Sequence, residues 1–128
     1  MTIEDRKAQA YRMIEEVKKG QRLLDKEVMD FLMSVLPNSP VSVKVVSQKG
    51  ICMAGYKVGD EWLVKGREDG WKSPPICIFA LGSLMPSIQL LMYGGSFPWE
   101  RDQNVIVGTC PDVNNPVLFE LRRLPEPK

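Results

Sequence analysis

The tetrapeptide Pro37-Asn-Ser-Pro40 separates two periodicities that cannot belong to one element, and it constrains the fold more than any other feature of the chain. Proline lacks the amide proton a helix interior needs, and it pushes the residue before it toward extended backbone. On the N-terminal side, apolar Ala10, Ile14 and Val17 recur at helical spacing, with Tyr11 and Met13 beside them. Leu24, Val28, Phe31, Leu32, Val35 and Leu36 then form a second broad apolar face that stops before Pro37. On the C-terminal side Val41-Ser-Val-Lys-Val45 alternates, the mark of a strand with one buried face. The chain therefore divides into a helical pair over residues 1–40 and a mixed unit over residues 41–128.

The helical pair carries its own punctuation. Thr2, followed three residues later by Asp5, is a relative of the capping box and sets the first helix start near Ile3. Lys18 and Lys19 complement the helix C-terminus, and Gly20 suits the position just past it. Residues 1–40 hold seven basic and seven acidic side chains, so the pair is neutral and its apolar seam needs a partner. The seam packs either on the rest of the chain or on a second copy, which would make a homodimer through residues 2–36.

In the second unit, residues 61–65 read as another strand, followed by a loop over residues 66–75 that contains Trp71. Residues 76–93 read as a third helix, which Pro86 either kinks or divides. Residues 105–109 and 117–122 are strands joined by the turn at residues 110–116, and residues 124–128 form a proline-rich tail. This order predicts an α+β fold: a small, largely antiparallel sheet with one packed helix, preceded by the N-terminal helical pair.

Composition narrows the function. A formal net charge of +1, with no basic run longer than the doublets Lys18-Lys19 and Arg122-Arg123, lacks the basic stripe of a nucleic-acid binder. The longest apolar stretch, residues 76–93, is broken by Gly82, Ser83, Pro86, Ser87 and Gln89, so no membrane span is expected. The N-terminus is charged from Glu4 onward, unlike a signal peptide, and three cysteines is an odd number. A cytoplasmic protein with reduced thiols is the expectation. The chain has no histidine, so proton transfer falls to carboxylates, lysine, tyrosine, thiols or water.

Three signatures carry the chemistry: Cys52 leading into Gly55-Tyr-Lys-Val-Gly-Asp60, then Gly94-Gly-Ser-Phe-Pro-Trp-Glu100, then Cys110-Pro-Asp-Val-Asn-Asn-Pro116 running on to Arg123. In this order they resemble the pattern of a family of small, mostly uncharacterised prokaryotic proteins, over roughly the last two-thirds of the chain. The helical segment before Pro40 lies outside that pattern. The resemblance implies a shared fold and supplies no activity.

The residues themselves suggest a pocket formed by the three signatures that takes a small-molecule ligand. Tyr56, Lys57, Tyr93, Phe97 and Trp99 are its candidate ligand-binding residues, the aromatics offering rigid surface. Thiolate or carboxylate catalysis there would use Glu100, Cys77 or Asp60, with Cys77 favoured by its place at a helix start. No cofactor is required. The three cysteines, Cys52, Cys77 and Cys110, are either small buried hydrophobes or a ligand set for a soft metal such as zinc or copper, although no Cys-x-x-Cys pair is present. Asp60 or Asp112 would then supply the fourth ligand. Bland readings exist for each turn: Asp60 and Asp112 bond local amides, and Arg122 and Arg123 either bind an acidic ligand or pair with Glu100 or Glu120.

Overall fold

A computed structural model of the chain describes residues 1–126, so Pro127 and Lys128 of the proline-rich tail lie outside the described residues. The chain forms two compact units, residues 1–37 and residues 38–128. The boundary falls earlier than the expected residue 40 for a simple reason. The Ser39 amide donates to the Met92 carbonyl and the Leu124 amide to that of Pro40, which ties this short segment to the second unit.

In the first unit, α1 spans Ile3–Lys18 and α2 spans Lys26–Val35. The expected start of α1 is realised as a full capping box: the Asp5 amide donates to the Thr2 hydroxyl at 3.1 Å, and the Thr2 amide to the Asp5 carboxylate at 2.9 Å. Those bonds also hold the Asp5 carboxyl below its ordinary value. The start of α2 differs from the sequence reading. Asp25 caps it by accepting from the Val28 amide, which leaves Leu24 ahead of the helix and exposed. Ala10, Val28, Leu32 and Val35 bury against one another, so the two helices share the seam. Arg6 reinforces the pair from α1, with its guanidinium 5.7 Å from the Phe31 ring and bonded to the Ser34 hydroxyl.

The second unit is a four-stranded antiparallel sheet in the order β2-β1-β4-β3, with β1 at Val41–Gln48, β2 at Glu61–Val64, β3 at Val105–Thr109 and β4 at Val117–Arg123. The alternation seen in the sequence fixes which face is buried. Val41, Val43 and Val45 of β1 and Val117, Phe119 and Leu121 of β4 point to one side, with Val43 opposite Leu121 and Val45 opposite Phe119. β1 runs past Val45, where the alternation ends, and pairing with β4 resumes at Ser47 and Gln48 after a register shift.

Helix α3, Ile78–Met92, covers that face with Ala80, Leu84, Ile88 and Leu91, each at most 1 % exposed. It runs unbroken through Pro86, so the proline does not divide it. The lost hydrogen bond is offset because this stripe is anchored on the sheet both before and after Pro86. Close approach of helix and sheet depends on Gly108 in β3, where a Cβ would stand 2.5 Å from Leu84 Cδ2. Part of the loop over residues 66–75 is ordered as a single 3₁₀ turn, Gly66–Asp69. Among the described residues no helix is long and apolar enough to cross a membrane.

Candidate functional site

Asn115 joins the first and third signatures. Its Oδ1 accepts the Ile51 amide at 3.0 Å, while its Nδ2 donates to the Asp112 carboxylate at 3.3 Å. Asp112 also accepts the amides of Asn114 and Asn115, and these bonds hold its carboxyl below the ordinary aspartate value. The close approach requires Gly50, which sits at φ +72° and whose Cβ would lie 2.1 Å from Asn115 Oδ1. Cys110 closes the same turn. Its sulfur accepts the Val117 amide at 3.2 Å, and its own amide donates to the Val117 carbonyl.

Against this clamp stands the start of α3. Cys77 is its N-cap residue, and no side chain caps the first turn. The Cys77 amide donates instead to the hydroxyl oxygen of Tyr56, which the first signature supplies. Tyr56 is held from behind by Trp62 of β2, with ring centroids 4.6 Å apart, and Trp62 in turn by Phe119, at 6.5 Å. Burial is the chief cause of an upward shift in the Tyr56 phenol pKa, which the hydrogen bond from the Cys77 amide partly opposes.

These elements enclose a cavity of about 410 Å³. Its wall includes all three cysteines, Tyr56, Ala80 and Phe119, and among the described residues no Lys, Arg or Glu side chain lines it. Ile51, Met53 and Phe79 also line it while being 73 %, 95 % and 73 % exposed, so they form an apolar mouth. The polar groups of the wall are mostly engaged already. Asp112, Asn115 and Cys110 hold the turn together, as their hydrogen bonds show.

The sequence candidates thus separate. Cys52, Cys77, Cys110 and Tyr56 meet at the cavity. Asp60 and Lys57 do not line it. Asp60 accepts the Lys57 amide at 2.8 Å and serves the turn before β2. The segment from Gly94 to Glu100, expected as a third wall, contributes no lining residue either. Phe97 and Trp99 stack on each other at 4.8 Å and 7°. Gln103 donates to the Glu100 carbonyl, and Arg123 donates to those of Leu91, Gly95 and Gln103. Arg123 is therefore a clasp for the end of α3, while Arg122 pairs with Glu120 and Asp102 on the surface. Tyr93 lines a different cavity, of about 220 Å³, with Trp71, Met85 and Met92.

The three-thiolate metal site is not formed. Among the described residues no three Cys, Asp, Glu or His side chains are grouped so as to hold a metal ion. Sharing one cavity wall is a weaker condition than converging on one point, and the Cys110 sulfur is drawn to its own turn. Sequence reasoning missed Asn115, Phe79 and Phe119 as site residues. Asn115 lay inside a quoted motif, but its partner Ile51 is 64 positions away, a pairing that no local spacing signals. No protein-family model, curated protein or solved structure matches the chain.

Proposed function

We propose that this protein binds a small, predominantly apolar molecule in the cavity between the first signature, the third signature and the start of α3. The observation that carries the reading is that Cys52, Tyr56, Cys77 and Cys110, spread over the sequence, line one cavity of about 410 Å³. That volume lies within the range of roughly 300–1,000 Å³ usual for ligand pockets, and an apolar wall with few polar groups is their usual composition. Binding is favoured over catalysis because the cavity offers no free base beside a thiol. Glu100 and Asp60 are not among its lining residues, and Asp112 is committed to backbone amides. The family resemblance of the three signatures stands beside this reading as a further proposal and adds no activity to it.

The test is binding of the hydrocarbon fluorophore diphenylhexatriene, read by its emission, together with alkylation of the cysteines read by mass spectrometry. The wild type is expected to bind the fluorophore, and bound fluorophore is expected to slow alkylation of Cys52 and Cys77 together. Ala54 lines the cavity and is exposed, so Ala54→Trp should fill the mouth and abolish binding without unfolding the protein. Absence of binding, or binding that leaves the cysteines as reactive as before, would sink the reading.

A further inference from the structure

The polar groups around the cavity can be accounted for one by one. Asp112 accepts from Asn114 and Asn115; Asn115 accepts from Ile51 and donates to Asp112; Cys110 sulfur accepts from Val117. Tyr56 is different. Its hydroxyl oxygen accepts the Cys77 amide, and among the described residues no acceptor receives its own proton. The remaining wall polarity is the Cys52 and Cys77 thiols, which are weak donors. With no lysine or arginine among the described residues of the wall, an anionic group entering the cavity would meet no side-chain counter-charge there.

We propose that the ligand of this cavity is an uncharged apolar carbonyl compound, a ketone or ester, whose oxygen accepts the hydrogen bond of the Tyr56 hydroxyl. The inference rests on the binding reading above and specifies the ligand class for the same cavity. With the Cys77 amide already donating to the hydroxyl oxygen, the Tyr56 proton is the group left to engage a ligand, which makes Tyr56 the donor. The phenol is protonated at neutral pH by its ordinary value alone, and burial moves it further in the same direction. A pure hydrocarbon would fill the same space and leave that donor without a partner, which is the discriminating condition.

The experiment compares the neutral ketone fluorophore prodan with diphenylhexatriene on the wild type and on Tyr56→Phe. One hydrogen bond predicts that Tyr56→Phe weakens prodan binding by roughly five- to tenfold while changing diphenylhexatriene affinity by less than about twofold. The hydrocarbon arm serves as the folding control, since a collapsed cavity would lose both probes. A second readout needs no variant: the infrared carbonyl stretch of carbon-labelled prodan bound to the wild type should lie below its value in an alkane solvent. An unshifted stretch, or equal responses of the two probes to Tyr56→Phe, overturns the carbonyl assignment and leaves the cavity reading standing. Failure of the wild type to bind either probe overturns both.

Discussion

Residues 94–100 and residues 110–116 are both turns at the end of a regular element, and both carry a carboxylate among proline and other turn-forming residues. They do opposite things with those groups. In residues 94–100 the aromatics satisfy each other, Phe97 stacking on Trp99, and the backbone is gathered in by Gln103 and Arg123. The loop closes on itself and leaves Trp99 exposed. In residues 110–116 the side chains reach outward, Asn115 taking the Ile51 amide, and the two joined segments stand around a space instead of filling it. Rigid aromatics and a nearby carboxylate do not by themselves mark a pocket. A polar clamp between distant segments, with apolar residues on its inner side, is the better sign.

That contrast can be broken at several points. The largest effect is expected from Phe119→Ala, which removes a fully buried side chain belonging both to the core and to the cavity wall. A loss of about 3–5 kcal/mol is expected in urea denaturation, with probe binding lost as well. Arg123→Met should come next. It strips donors from the Leu91, Gly95 and Gln103 carbonyls, costing about 2–3 kcal/mol, yet diphenylhexatriene affinity should not change because Arg123 lies on the self-closing side of the contrast.

Asn115→Ala should reverse that pattern, costing only about 1 kcal/mol while weakening probe binding severalfold, since it releases the Ile51 segment from the third signature. If Arg123→Met and Asn115→Ala affect binding alike, the two regions are not functionally distinct. Trp99→Ala is expected to cost about 0.5–1.5 kcal/mol through the lost stack, with no change in binding.

The smallest effect is one of pH. The folded Asp112 carboxyl lies below its ordinary value because backbone amides stabilise the ionised form. Its contribution to stability is therefore present above the ordinary aspartate pKa and is lost as pH falls through the depressed folded value. The stability gap between the wild type and Asp112→Asn should be constant near neutral pH and close under acid. A gap that widens toward acid would contradict the bonding described.

Local signals carried much of the fold into view. The Thr2 and Asp5 pair set the start of α1, the valine alternation set the buried face of β1, and Pro37 to Pro40 marked the division, because caps, pleats and proline act over a few residues. Of the two outcomes Pro86 allowed, a kink or a division, the division does not occur, since packing on the sheet outweighs one missing bond. The site was legible only in part. Cys52, Cys77 and Cys110 stood out in the sequence, and the structure brings them to one wall. Glu100 and the aromatics beside it stood out equally, and the structure turns them elsewhere.

What the sequence alone determined was the set of elements, their order and the absence of histidine chemistry. Those depend on residue type and short-range spacing. What only the tertiary structure decided was which signatures meet. In an antiparallel sheet that pairs β1 with β4, the end of β1 lies beside the start of β4, with Gln48 opposite Val117. The segments that continue those strands are carried together over the mouth of α3, and a loop at the other end of that helix has no part in the wall.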